Sequence, residues 1–412
     1  MSQPRVVVTG IGAVTPLGLT ACTSWEGLIA GRSGVGPITA FDPSELPVRI
    51  AAEVKGFDPT PYMNPKTARR LERFAQFAVA ASKQALGDAG LTIDESNADR
   101  VGVVMNTGGG GVVKVHDETL VYAQRGPDRV SPLFVPMMMP NIGACQVSIL
   151  TGARGPVMTA TAACAAGVQA IVDAWRLIRL GEADAVIAGA AESDLVGLAF
   201  AGLANMQALS RRNDDPEGAS RPFDAERDGF VFGEGAAALI LEREDYARAR
   251  GARPIAVVGG GALTADAHHI TAPSPLGEGA ARAMCLAIKR AGLSPEDVDY
   301  VCAHATATDV GDRAEVAAIR RALGARADRV AVSAPKSMIG HLLGAAGAVT
   351  AMIAALSIRD GLVPPTINYR TPDPDCDLDV VPNLARRAPV RVAIANGFGF
   401  GGQNAVAVFT AP

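Results

Sequence analysis

The segment Val6-Val-Val-Thr-Gly-Ile-Gly12 has an echo at Ile255-Ala-Val-Val-Gly-Gly-Gly261. Each is an apolar, β-branched run that ends in glycine, and each leads to a long helical pattern closing on Ala-Gly-Leu, at 89–91 and 291–293. An acidic loop and a second buried run follow in both places. A chain that spells the same order twice reads as a duplicated unit. The charged stretch 242–253 separates the two, so the boundary is expected near residue 252, with halves 1–252 and 253–412.

Buried strands are expected at 5–9, 101–105, 185–188, 237–241, 255–259, 300–303, 329–332 and 392–394. Helical periodicity lies between them, at 68–89, 165–180, 277–291, 312–323 and 344–359. This alternation predicts an α/β fold with mostly parallel pairing. At 412 residues, 49% of them hydrophobic and 19% charged, the chain is long enough for two large buried cores. A net charge of −4 gives no basic signature for nucleic acid.

The six cysteines, Cys22, Cys145, Cys164, Cys285, Cys302 and Cys376, are scattered, form no C-x-x-C pair and have no zinc-like histidine spacing. No metal ligand set is expected. Met1-Ser-Gln-Pro-Arg5 runs straight into a strand, without a secretory signal, and no run of about 20 apolar residues is available to span a bilayer. The expectation is a soluble, cytoplasmic protein of a reducing compartment, with no membrane insertion.

Cys164 stands apart from the other thiols. It lies in Thr159-Ala-Thr-Ala-Ala-Cys164-Ala-Ala-Gly-Val-Gln-Ala170, a small-residue turn that opens a helix. Unpaired N–H groups and the dipole of that first turn are expected to favour a thiolate. Two further segments carry histidine in glycine- and alanine-rich settings: Ala303-His304-Ala-Thr306-Ala-Thr308 and Lys336-Ser-Met-Ile-Gly340-His341-Leu-Leu-Gly-Ala-Ala-Gly347. One thiol with two imidazole partners points to covalent acyl chemistry. Cys22, Cys145, Cys285 and Cys302 are read as buried small hydrophobes. The glycine run 108–111 lacks the Lys-Ser/Thr that would follow in a phosphate-binding loop.

Together these segments resemble the beta-ketoacyl-[acyl-carrier-protein] synthases, above all the elongating branch of the thiolase-like superfamily. The resemblance runs from Val6 through Gly18 to Asn396-Gly-Phe-Gly-Phe-Gly-Gly-Gln-Asn404, with Ala208-Leu-Ser-Arg-Arg-Asn213, Ser220-Arg-Pro-Phe-Asp224 and Arg227-Asp-Gly-Phe-Val-Phe-Gly-Glu-Gly235 between. It implies a duplicated five-layer α/β/α/β/α fold with mixed sheets, a homodimer, and no metal or organic cofactor. It also implies that Cys164 takes an acyl group from acyl carrier protein. His304 and His341 assist malonyl decarboxylation, and Cys164 and Phe400 N–H groups form an oxyanion hole. Lys336 pairs with Glu315, and Thr306 and Thr308 bind the phosphopantetheine arm. Phe400 gates the acyl chain, and Phe398 in the same loop binds substrate, as do Asp266 and His269 on a second gating loop.

Departures from the family pattern carry expectations of their own. Ala305 adds a methyl where glycine is common, and Asp309 replaces a usual proline, which is expected to loosen that loop. Gln403 stands where threonine is frequent. Gln207 stands where a basic residue often helps dock the carrier, leaving Lys66, Arg69 and Arg70 as the docking candidates. Gly109 replaces a bulky aliphatic residue at the acyl-pocket floor, so open space and long primers are expected there. A polyketide ketosynthase stays open as an alternative. A chain-length-factor-like subunit is disfavoured by Cys164, and a degradative thiolase by the Cys-His-His set.

Overall fold

The computed structural model describes residues 4–412. Ten strands carry the fold: β1 (Val6–Val14), β2 (Val101–Asn106), β3 (Val157–Met158), β4 (Ala185–Glu192), β5 (Gly235–Arg243), β6 (Ala256–Ala265), β7 (Tyr300–Cys302), β8 (Ala331–Ser333), β9 (Val392–Gly399) and β10 (Gln403–Thr410). They bond in the order β8-β7-β9-β10-β6-β1-β5-β4-β2-β3. Reading outward from the middle, 1-5-4-2-3 on one side repeats as 6-10-9-7-8 on the other. The duplication is therefore a property of the topology. The named strands of the two halves pair only where Val6, Val7 and Val8 meet Val258, Val257 and Ala256.

Pairing within each half is mixed, which corrects the mostly parallel expectation. β4–β2, β2–β3, β9–β7 and β7–β8 are parallel, whereas β1–β5, β5–β4, β6–β10 and β10–β9 are antiparallel. β10 went unrecognised in the sequence because Gln403 and Asn404 open it with polar side chains inside the glycine-rich motif.

Helices α1 (Arg73–Ala89), α2 (Ile142–Thr151), α3 (Ala166–Arg179), α4 (Glu278–Arg290), α5 (Asp309–Leu323) and α6 (Ala346–Asp360) fill the remaining layers. Side chains alternate across each strand. Leu239 and Leu241 of β5 enter the central cluster with α3 and α6, while Ile240 between them faces α1 and α2. In the second half Ala393 and Ala395 face the same central helices, and Ile394 faces α4 and α5. The result is helix, sheet, helix, sheet, helix. The apolar stretch Leu343–Asp360 is long enough to cross a membrane by composition, but 78% of it is buried in this central layer.

Glycine sets the spacing at two places. A Cβ on Gly10 or Gly12 would fall 2.3 Å from Ala85 O or 2.0 Å from Ala81 O, so β1 and α1 touch backbone to backbone. A Cβ on Gly167 would fall 2.2 Å from Ala348 N, and one on Gly347 would fall 2.5 Å from Val168 N. This reciprocal contact lets α3 and α6 cross at their first turns, where Cys164 and His341 lie.

Candidate active site

Each central helix is entered by a 3-10 turn, Ala163–Ala165 before α3 and Leu343–Ala345 before α6. Both turns place a non-glycine residue at positive φ, 45° at Ala163 and 44° at Leu343. Such strain persists only where the surrounding structure enforces it. In the first turn it projects Cys164 into a cavity shared with His304, His341, Thr306, Thr308, Phe398, Phe400, Asp266 and Asn404. The structure thus brings together the thiol, both histidines, both threonines and residues of both gating loops.

The Cys164 thiol is buried, with the backbone N–H groups of Phe400 and of Cys164 itself placed to favour its ionised form. Burial pushes its pKa up to about 11, against the lowering effects of Lys336 and those N–H groups. The helix start therefore does not make a thiolate in the free enzyme, contrary to expectation. Desolvation outweighs the dipole.

His304 and His341 stand 5.4 Å apart between ring centroids, nearly perpendicular at 85°. Phe230 packs edge-on against His341 at 5.1 Å and Phe398 lies 5.7 Å from His304. Burial, followed by the Lys336 charge, holds both imidazoles well below the ordinary histidine range. They are neutral N–H donors at physiological pH. Lys336 Nζ lies 3.4 Å from His304 Nδ1, and an ammonium can only donate, so the ring proton resides on Nε2.

The expected Lys336–Glu315 ion pair is not made. Lys336 donates to the carbonyl oxygen of His304. Glu315 instead accepts from the N–H groups of His304 at 2.9 Å and Ala305 at 2.6 Å, and from Asn396 Nδ2 at 2.9 Å. Burial raises the Glu315 pKa and lowers that of Lys336, while each group's charge favours ionisation of the other. Their coupling acts through space, across the His304 backbone.

Thr306 and Thr308 share a 3.1 Å hydroxyl contact. Their loop is held by buried Asp312, which accepts from Thr306 N at 3.0 Å, Ala307 N at 3.2 Å and Phe223 N at 2.8 Å. Asp309 does not loosen it. Its carboxylate pairs with buried Arg227 at 3.1 Å and with Arg313 at 3.3 Å. Asp266 accepts from Asn404 Nδ2 at 2.7 Å, and its N–H donates to Gly402 O at 2.8 Å, joining the two gating loops. His269 lies outside the cavity lining; its Nδ1 accepts from Thr271 N and Ala272 N at 3.1 Å on the exposed side.

Gly109 leaves no open space. A Cβ there would lie 2.3 Å from Asp194 Oδ2, so the Asp194 carboxyl already fills that volume. Among the cysteines read as buried, Cys302 is; Cys22 and Cys285 are exposed and Cys145 is half-buried. Lys66, Arg69 and Arg70 are exposed around the short helix Pro65–Ala68 and are not part of the cavity lining. Sequence reading missed Glu192, Asp194, Phe230, Asp312, Asn396 and Asn404. The only cue to Glu192 was a carboxylate ending an otherwise apolar strand.

Comparison with known proteins gives this geometry a family. The Beta-ketoacyl synthase N-terminal domain matches residues 3–247 and the corresponding C-terminal domain matches 255–370. A 3-oxoacyl-[acyl-carrier-protein] synthase 2 of Synechocystis sp. is 49% identical over 409 residues, covering 99% of this chain and 98% of its own length. The solved ishigamide ketosynthase/chain length factor is 36% identical, with a TM-score of 0.94 and full coverage of both chains. A type II polyketide synthase acyl-carrier protein in complex with its ketosynthase, bound to the hexaketide, is 33% identical with a TM-score of 0.92 and full coverage of both. With likeness of this degree along its whole length, the chain belongs to the beta-ketoacyl synthase family.

Proposed function

We propose that this enzyme joins an acyl chain, held as a Cys164 thioester, to malonyl-acyl carrier protein, giving 3-oxoacyl-acyl carrier protein and CO2 in fatty acid elongation. The observation that carries this reading is the meeting of one thiol, two backbone N–H groups and two neutral imidazoles on one cavity. Cys164 Sγ attacks the carbonyl of an acyl carrier thioester. The N–H groups of Cys164 and Phe400 hold the oxyanion, and the carrier thiol leaves with the proton. Malonyl carrier then loses CO2, and the electron pair of the broken C–C bond forms an enolate whose oxygen receives N–H from His304 and His341. Its carbanion attacks the acyl thioester, and Cys164 departs as a thiolate that takes up a proton from water to restore the thiol. Keeping both imidazoles neutral matters here, because an imidazolium would protonate the carbanion before it could attack.

Thr306 and Thr308 suit the amide-bearing pantetheine arm, with Phe398, Phe400 and Asp266 forming the gate. Lys66, Arg69 and Arg70 supply positive charge for an acidic carrier protein. The same reading divides the chain into 1–252, which holds the nucleophile, and 253–412, which holds the histidine pair and gates. It places the enzyme in the cytoplasm as a homodimer. Support for the dimer comes from edge strand β3, whose Val157 and Met158 are both exposed, as is Ile149 on the helix packed against it. An unpaired apolar edge of this kind calls for a cover.

Intact-mass measurement after incubation with acyl carrier protein tests the reaction. An acyl increment on wild type and none on Cys164→Ala is expected; no increment across several chain lengths refutes it. The likeness to a type II polyketide ketosynthase favours a second reading, iterative extension. Product analysis with excess malonyl carrier separates the two by the number of condensations per primer.

A further inference from the structure

Buried Glu192 closes β4 beside the glycine run 108–111, and its carboxylate is saturated with donors. Oε2 accepts from Gly108 N at 2.6 Å and Gly344 N at 2.9 Å. Oε1 accepts from Thr107 Oγ1 at 2.7 Å, Gly109 N at 3.2 Å and Gly110 N at 3.4 Å. A Cβ on Gly108 would lie 2.6 Å from Oε2, and one on Gly344 would lie 2.2 Å from Gly108 N. The glycine run is thus an anion-binding nest, and an internal carboxylate fills it.

The duplication explains where this nest lies. Thr161 and His341 each form an isolated bridge, shortly before a 3-10 turn that enters a central helix. Counting along the turns, Gly344 occupies the place of Cys164. The strand correspondence sets Glu192, last residue of β4, against Gly399, last residue of β9 and neighbour of Phe400. Where the N–H groups of Phe400 and Cys164 face the thiol, those of Gly344 and of Gly108, Gly109 and Gly110 face Glu192. The donor from Gly344 belongs to the turn Leu343–Ala345, two residues beyond His341. Just before that turn the chain is held by His341 N–H donating to Val231 O at 2.7 Å and Gly233 N–H donating to His341 O at 3.0 Å.

We propose that Glu192 is a positioning residue of the condensation: by clamping Gly344 to the Thr107–Gly110 loop it fixes the turn that follows His341 and so aims that imidazole. The clamped carboxylate also works against ionisation of the Cys164 thiol. Asp194 is its partner. It is buried at 4% exposure with an unpartnered Oδ1, and burial beside the Glu192 charge pushes its pKa well above the ordinary carboxylate range. The His341 arm rests on the condensation reading; the thiol arm does not.

Glu192→Gln keeps the size and removes the charge. CO2 release from malonyl-acyl carrier protein should fall about thirtyfold in kcat with KM within about twofold, while acylation of Cys164 stays within about threefold. Iodoacetamide alkylation of Cys164 should move its pH midpoint downward, because a repelling charge is gone. Should that variant fail to fold, Thr107→Val removes one donor and should lower decarboxylation about threefold to tenfold with acylation unchanged. Equal losses of both half-reactions, or an unmoved alkylation midpoint in folded protein, overturn the proposal. Wild type that releases no CO2 defeats the condensation reading instead, and the alkylation profile then still decides the thiol arm.

Discussion

Lys336 donates to the backbone carbonyl of His304 and faces the Nδ1 of the same residue at 3.4 Å. One ammonium thus sets the ring's tautomer, lowers the pKa values of both histidines and lowers that of the Cys164 thiol. Lys336→Met should therefore move three titrations at once. The Cys164 midpoint should rise further above about 11. Alkylation at fixed pH should slow roughly tenfold for every pH unit that the midpoint climbs. Both imidazoles should rise toward 6.5. Alkylation kinetics and histidine ring resonances check this; an unchanged alkylation rate would refute the Lys336–thiol coupling.

The buried histidines also make stability depend on pH. The folded-state pKa of His341 lies well below 6.5, so the unfolded chain takes up a proton that the folded one refuses. Its contribution is present above pH 6.5 and lost as pH falls. Asp312, raised by burial to about 7, acts in the opposite sense: its contribution is full at low pH and is lost as pH rises through about 7. The two overlap, so the clean quantity is a difference. Unfolding free energy of His341→Gln minus wild type should increase by about 1.4 kcal/mol per pH unit as pH falls below the unfolded histidine pKa. Urea titrations between mildly alkaline and mildly acidic pH measure it. A flat difference means that His341 titrates normally.

The duplicated frame was legible because repeated apolar runs, and the glycines that let helices approach strands, are local signals. Cys164, His304 and His341 were legible because their neighbours form ordered motifs. The partners were not. Glu315 binding backbone N–H groups, Asp312 holding the Thr306 loop and Arg227 holding Asp309 are contacts made across the fold. No spacing encodes them. The thiolate expectation failed because the helix start is visible in sequence while the burial that outweighs it is not. Gly109 failed as an open site for a similar reason: the residue that fills its space, Asp194, is distant in sequence.

That pairing gives a double-mutant test. Gly109→Ala places a methyl 2.3 Å from Asp194 Oδ2 and 2.9 Å from a Val112 methyl, so alone it should cost about 1–3 kcal/mol. Asp194→Ala empties the contested volume. Combined with Gly109→Ala it should recover most of that loss, with a coupling energy of about 1 kcal/mol or more. Chemical denaturation of the four proteins measures the cycle. Strict additivity would mean that the two residues do not share the space.

Docking should be electrostatic and therefore sensitive to salt. Lys66, Arg69 and Arg70 are exposed, and none of them takes part in an ion pair among the described residues. They are not part of the cavity lining, so reversing them should leave the chemistry intact. The triple change to glutamate should raise KM for acyl carrier protein about tenfold to a hundredfold at low salt, with kcat unchanged. The gap should narrow as ionic strength shortens the Debye length. Acylation with a small acyl thioester, which has no carrier to dock, should be the same in variant and wild type. A KM unchanged at low salt would move the docking surface elsewhere, whereas a fall in kcat with the small thioester would show that these residues support the site and not the partner.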